Sequence, residues 1–398
     1  MNKHKILTVA SVAIALLLLP AQTMPVLAAS HAKTLAKWTF MVYMNGDNDL
    51  ERYVTPDIEK ELAKVGSNPD VNVIVLADRI SGYSNAAGDW TTTKLFYVTK
   101  GMTATPDKAL ADWGERNMGD PRTLSDFILY AKTNLPADRY ALVLWDHGWG
   151  WRPYQTMWDA TSDDTLDPHE IIDAMKAAGP VDVVGYDACE QQMIEIGATW
   201  NKYAKAIAAS QEDVWWEGFK YDVILTDLQA NPSMTAEELA VDMAKSMTDK
   251  TIAAVTLNSN WDNLITAVDQ WSLALLDGLS NYRAAYDDAY AGTQGVADPT
   301  NKDLYDAAVE IKAHVADPNI WAKSQAVIDA VNAVVLYEWH RGKYPDAHGI
   351  GIFWPRLPAD LDEDSSPQIN DFEYYRNMLI FSRLTHWDEF INAYVNNR

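Results

Sequence analysis

Cys189 is the only cysteine in the 398-residue chain, and His147 is the residue best placed to work with it. Each closes an apolar run. Tyr140-Ala141-Leu142-Val143-Leu144-Trp145 leads into Asp146-His147-Gly148-Trp149-Gly150, and Val181-Asp182-Val183-Val184-Gly185-Tyr186-Asp187-Ala188 leads into Cys189. A lone thiol has no internal disulfide partner, so it is either an inert buried side chain or a nucleophile. An imidazole beside it takes the thiol proton during attack and later returns it to a leaving amine. Acyl transfer also needs donors for the developing oxyanion. Gly148 has no side chain to block its backbone N–H, and the N–H of Cys189 is the natural second donor. A strand-to-helix turn directly after Cys189 would set the thiol at a helix N-terminus, which favours thiolate. Asp187 lies two residues before the thiol on the same strand face, where a carboxylate can pair with a basic ligand. The alternative for Asp187 is a structural one, orienting loops or capping a helix.

This pairing requires strands that deliver both residues to one edge of a sheet. Strand-like runs alternate with helical ones: strands at 38–44, 72–77, 95–98, 140–145, 181–189 and 204–210, helices at 48–64 and 124–135. Asp167-Pro168-His169-Glu170 reads as a helix start, with an aspartate cap, proline in the first turn and glutamate three residues after the cap. That helix ends near Gly179-Pro180. Such alternation predicts a mostly parallel sheet covered by helices on both faces. Ligands of these sheets bind beyond the carboxyl ends of the strands, where His147 and Cys189 both fall. From Thr235 to about Tyr344 the pattern is helical, over 236–246, 264–290 and 323–337, with a loop at 292–299. A late strand at 348–355 and a helical tail at 373–394 follow. Residues 38–232 thus form the core, and 233–398 a helical C-terminal region whose late strand packs on that core.

The first 28 residues read as a signal peptide. Lys3 and Lys5 precede an apolar run from Ile6 to Leu19, and small residues follow at Ala28 and Ala29, after either of which cleavage is expected. The run is short for a full membrane span, no cysteine is near for a lipid anchor, and no later segment is long and apolar enough to cross a bilayer. The expected location is secreted or periplasmic. The formal net charge is −24, and loss of the two leader lysines makes it more negative. Such a surface repels nucleic acid and anionic lipid. It suits cationic substrates, bound divalent ions, or simply solubility outside a cell.

The motifs also resemble those of the clostripain-like cysteine peptidases, relatives of caspases, gingipains and legumain. The resemblance runs over nearly all of the chain after the leader. It rests on Thr39-Phe40-Met41-Val42-Tyr43-Met44-Asn45-Gly46-Asp47-Asn48-Asp49-Leu50-Glu51, on Leu144-Trp145-Asp146-His147-Gly148-Trp149-Gly150 and on Gly185-Tyr186-Asp187-Ala188-Cys189. Further matches are Ala208-Ala209-Ser210-Gln211-Glu212, His348-Gly349-Ile350-Gly351-Ile352-Phe353-Trp354-Pro355 and Thr385-His386-Trp387-Asp388-Glu389-Phe390. It implies a caspase-like α/β/α sandwich and a cysteine endopeptidase with His147 and Cys189 as its dyad. It also implies Asp187 at the base of a pocket for arginine or lysine, and protein or peptide substrates. Asn48, Ser210 and Gln211 become candidates for lining that pocket, with a turn and cap role the alternative for Asn48.

The chain departs from the family pattern in places. Gln211 stands where glutamate is frequent, and Asp213-Val214-Trp215-Trp216-Glu217-Gly218-Phe219 is bulkier than the expected Pro/Gly-rich turn. Many relatives cleave themselves between the histidine and cysteine blocks, after a basic residue. Here that interval offers only Arg152, which precedes Pro153, and Lys176, inside a helix, so no self-cleavage is expected there. No cofactor is required by these residues. The resemblance allows a calcium requirement, but the acidic tract Asp159–Asp167 lacks the glycine and distal glutamate of an EF-hand and reads as a polar linker. The eight histidines show no zinc spacing. Trp149, Trp151, Trp215 and Trp216 are read as either an aromatic binding platform or core packing. The rival to an enzyme is a catalytically silent protein on the same fold that binds peptide or glycan.

Overall fold

Apolar residues along Ala36–Gly46 alternate between two cores. Met41 and Tyr43 belong to one, while Trp38, Phe40, Val42 and Met44 belong to the other. A strand apolar on both faces must be covered on both, which sets up the three-layer architecture of this computed structural model. It describes residues 35–153, 156–361 and 371–396, so the leader expected at 1–28 lies outside the described residues.

In chain order the strands are β1 (Ala36–Gly46), β2 (Val71–Arg79), β3 (Lys94–Tyr97), β4 (Ala111–Asp112), β5 (Ala137–Trp145), β6 (Trp158–Asp159), β7 (Asp164–Thr165), β8 (Val183–Asp187), β9 (Ala206–Ser210), β10 (Ile252–Thr256), β11 (Gly295–Val296), β12 (Asp298–Asp303), β13 (Val335–Trp339) and β14 (Gly351–Phe353). Nine form the central sheet, in the order β13-β10-β9-β8-β5-β1-β2-β3-β4. The five from β9 to β2 run parallel, and antiparallel strands extend both edges. On the Met41 face lie the helices Pro121–Asn134, Pro168–Ala178, Ile194–Trp200 and Ser259–Gly292. The other face is covered by Tyr221–Ala230 and Ala236–Ser246. This is a caspase-like α/β/α sandwich with C-terminal helices.

Chain direction reverses at β1: β2 is laid down on one side of it, β5 and then β8 and β9 on the other. The crevice beyond the carboxyl ends of β1 and β5 is the topological switch point, where ligands of open α/β sheets bind. Register makes the ends flush, because Met44 pairs with Trp145 and Trp145 with Asp187.

The predicted helix start at Asp167 is present, and the Asp167 N–H donates to the Glu170 carboxylate at 3.0 Å. The region after residue 232 differs from its helical reading. It contributes β10 and β13 to the central sheet, so that sheet continues across the expected boundary. The helix expected at 323–337 is Pro318–Val334 followed by β13. The loop expected at 292–299 contains β11 and enters β12, which with β14 makes a separate three-stranded sheet. The late strand is therefore not in the central sheet. Ile350, Ile352, Phe353 and Trp354 are nonetheless fully buried in the Met41-side core. Among the described residues no helix is long and apolar enough to cross a membrane.

Candidate active site

β5 delivers His147 and β8 delivers Cys189, and both line one cavity of about 410 Å³ at the carboxyl edge of the sheet, together with Asp187. The two loops are tied where the strands end, by the Asp146 N–H donating to the Asp187 carbonyl at 3.3 Å. The loops then touch at Gly148. A Cβ on this residue would lie 2.3 Å from the Cys189 carbonyl oxygen, 2.7 Å from Gln191 Nε2 and 3.0 Å from Cys189 N. Only glycine permits that approach, and it leaves the Gly148 N–H facing the thiol, whose ionised form it favours.

His147 is held from two sides. Its ring Nε2 lies 2.8 Å from Asp49 Oδ1, on the loop after β1 across the switch crevice. Its backbone N–H donates to Asp146 Oδ1 at 2.6 Å, and the amides of Asn45 and Asn48 donate to the same buried carboxyl at 2.7 Å each. Burial, the dominant influence, pushes the Asp146 carboxyl well above the usual range, with those donors opposing it. Asn48 also donates to the Trp158 carbonyl and accepts from the Leu50 N–H. Its side chain is thus committed to bracing the histidine loop and lies behind the cavity wall.

The Cys189 Sγ is bracketed by Val214, whose N–H reaches it at 3.3 Å and whose carbonyl lies 3.5 Å away. Burial first, then the Asp213 and Glu190 carboxylates, push the thiol up to about 11, against the Val214 and Gly148 N–H groups. The expected helix N-terminus beside the thiol is absent. The chain turns at Glu190, in left-handed conformation (φ 58°), and the next helix begins only at Ile194. Gln191 spans the two loops instead: its buried amide donates to the Cys189 carbonyl at 3.0 Å and the Gly150 carbonyl at 3.3 Å.

Asp187 is buried at the cavity wall. Its carboxylate accepts from the Tyr221 hydroxyl at 2.7 Å and from the Phe219 N–H at 3.2 Å. Burial lifts its pKa to about 6, and these donors hold it down. Behind it, Asp57 is pushed well above the usual carboxylate range by burial and by the Asp187 and Glu61 charges, and Glu61 rises to about 7, mainly by burial. Asp49 and Asp213 also line the cavity, where Arg52 is the one fixed cation among the described residues. Gly218 (φ 44°) passes so close that a Cβ would sit 2.3 Å from Asp187 Oδ1.

Ser210 and Gln211 do not line the cavity. The Ser210 hydroxyl donates to the Thr251 carbonyl and accepts from the Glu212 N–H. Gln211 donates to Asp303 and accepts from the Gly349 N–H. Both fix β9 to its neighbours, because the β9 end turns away toward β10 and the 348–351 segment. Arg152 is buried against the rings of Trp149, Trp151 and Phe353 and pairs with Asp298. Trp151 is likewise core, whereas Trp215 and Trp216 are exposed on the cavity rim.

The tract 159–167 forms the β6–β7 hairpin and the helix cap, and Asp159 accepts the Met118 and Ser162 N–H groups. Elsewhere, Asp47, Asp78 and Glu115 place carboxylate oxygens within 4.8 Å of one another. Their oxygen-only donor set fits a hard divalent cation. Burial and the Asp47 and Asp159 charges raise Glu115 to about 7.

A thiol and an imidazole thus stand at adjacent strand ends of a caspase-like, three-layer α/β sandwich, in one cavity with a buried carboxylate. The chain belongs to the clostripain family, whose model matches residues 42–394. It is 30% identical over 231 residues to clostripain of Hathewaya histolytica, covering 51% of this chain and 44% of that protein. The match thus spans less than half the length of that relative. Two solved structures share the fold. One is a secreted C11 cysteine protease from Bacteroides thetaiotaomicron in complex with an irreversible peptide inhibitor (TM-score 0.66, 18% identity, 88% of this chain and 99% of that one). The other is an inactive zymogen C11 protease from Parabacteroides distasonis (TM-score 0.63, 20% identity, 88% and 99%).

Proposed function

We propose that this protein is an exported cysteine endopeptidase that cleaves after arginine or lysine. The observation that carries this reading is the shared cavity of Cys189, His147 and the buried Asp187. Because the resting thiol stays protonated at neutral pH, His147 acts as general base during attack rather than as half of a preformed ion pair. The sulfur bonds to the scissile carbonyl carbon as the thiol proton passes to the imidazole. The oxyanion is met by the Gly148 and Cys189 N–H groups. The C–N bond then breaks, and the imidazolium protonates the departing amine. Water, deprotonated by His147, opens the thioester and restores the thiol. Asp49 keeps the imidazole oriented and stabilises its charged form.

Asp187 and the carboxylates behind it supply the field for a basic side chain of the substrate. Export rests on the leader-like start of the sequence, and the net charge of −24 is compatible with solubility outside a cell. No step requires a cofactor. Where calcium is required, Asp47, Asp78 and Glu115 would hold it, and its part would be to neutralise the ends of β1 and β2. We expect no self-cleavage between the histidine and cysteine blocks, an expectation supported by the burial of Arg152 and the helical setting of Lys176; two chains split between residues 150 and 180 after purification would overturn it. The test uses mature protein on fluorogenic peptides ending in Arg, Lys, Asp or Asn, beside Cys189→Ala and Asp187→Ala, with and without calcium. Turnover of the Arg and Lys peptides only, lost with Cys189, supports the reading. Absence of turnover on every peptide favours the silent binding protein.

A further inference from the structure

Trp215 and Trp216 are 56% and 55% exposed, in a chain where seven other tryptophans rank among the largest fully buried side chains. Both line the same cavity as Cys189, His147 and Asp187. They are organised rather than splayed. Their rings meet edge-on with centroids 5.6 Å apart, and Trp216 lies parallel to Tyr53 at 6.4 Å. Lys250 sits over the Trp215 ring at 5.2 Å, and Arg52 lies 6.0 Å from the Tyr53 ring. The result is an aromatic shelf continuous with the cavity rim. Large apolar surface left in water beside a polar pit marks a contact surface. Flat aromatic faces bind with little loss of side-chain freedom.

We propose that this shelf is a specificity subsite for an aromatic side chain in the substrate, two to four residues before the scissile bond. The inference rests on the peptidase reading above and narrows its substrate class to peptides that carry an aromatic residue shortly before a basic one. Direction follows from the thiol. His147 must face the leaving amine, while Val214 brackets the sulfur by its N–H and carbonyl. The stretch from Val214 to Gly218 therefore runs beside the acyl half of the substrate, from the nucleophile to Asp187. Residues preceding the basic side chain pass over Trp215, Trp216 and Tyr53.

The test compares matched internally quenched peptides, each with arginine before the scissile bond and one of Phe, Trp, Pro, Ala or Glu at each of the three preceding positions. The proteins are wild type, Trp216→Ala, Trp216→Phe and Trp215→Ala/Trp216→Ala. The readout is the aromatic-to-alanine ratio of kcat/KM. The expected ratio is about tenfold in wild type, largely retained in Trp216→Phe and close to one in the double variant. A wild-type ratio near one at all three positions, or a ratio that survives the double substitution, overturns the proposal. Should wild type turn over no peptide, the peptidase reading itself falls. The shelf is then judged by tryptophan-fluorescence titration of Cys189→Ala with the same peptides. Saturable quenching by the aromatic peptides and not the alanine ones sustains it; equal response to both ends it.

Discussion

Replacing Asp187 by asparagine removes one charge and little else. The amide oxygen still accepts the Phe219 N–H, and the amide nitrogen still reaches the Tyr221 hydroxyl, so the fold is expected to hold. What is lost is the buried anion that meets the substrate cation. Removing one member of a desolvated charge pair costs about 2–5 kcal/mol, which is roughly thirty- to several-thousand-fold in kcat/KM for arginine peptides. Acid should produce the same loss reversibly. The Asp187 carboxyl titrates at about 6 in the free protein, and only its ionised form attracts a guanidinium. Between pH 7.5 and 5 the ionised fraction falls from nearly all to about a tenth. The assay is the pH profile of kcat/KM, which reports groups of the free enzyme. His147 must be neutral to act as base, so both proteins should lose activity in acid. The share that belongs to Asp187 is the ratio of wild type to Asp187→Asn on arginine peptides, which should be large above pH 7 and shrink as pH falls through about 6. A ratio that stays constant over this range, together with an arginine preference that survives in the variant, would refute the assignment of Asp187 as the cation site.

Other expectations follow from the same geometry. Alkylation of Cys189 by iodoacetamide should accelerate about tenfold per pH unit through neutrality, with no plateau below pH 10; a plateau at neutral pH would mean a preformed thiolate. Gly218→Ala should abolish cleavage after basic residues, because its Cβ meets Asp187 Oδ1 at 2.3 Å; measurement of kcat/KM on arginine peptides decides. Gln191→Ala should lower kcat more than it raises KM, by about tenfold or more, since it frees the two loops from each other; a change confined to KM would contradict this. Glu212, whose pKa is lowered by hydrogen bonds from Lys343 and Thr251 against the opposing effect of burial, stabilises the fold above its unfolded value. Its contribution is lost as pH falls through its lower folded value. The Tm gap between wild type and Glu212→Gln should therefore be present at pH 7 and close in strong acid.

The parallel block of the sheet was legible because each strand is apolar on both faces and closes in a polar turn. The thiol and imidazole were legible because each follows such a strand. The strands Ile252–Thr256 and Val335–Trp339 were not. A buried run of five residues among helical segments has no period that separates it from a helix turn. The turn after Cys189 was misread because its left-handed residue is Glu190, a residue type that gives no signal for that conformation. Asn48, Ser210 and Gln211 stand in the right motifs, but their side chains are used up by partners distant in sequence: Asp146, Thr251 and Asp303. Asp49 and Gln191 went unremarked for the same reason. Each acts through a contact that exists only once the β1, β5 and β8 loops converge, and neither has a spacing that announces it.

The central claim is that Cys189 attacks the peptide carbonyl. Intact-mass measurement during turnover of an arginyl ester tests it most directly, with wild type and Cys189→Ala side by side. The account predicts a transient acyl adduct on wild type, removed by hydroxylamine, and neither adduct nor turnover in the variant. Turnover that persists in Cys189→Ala would contradict it.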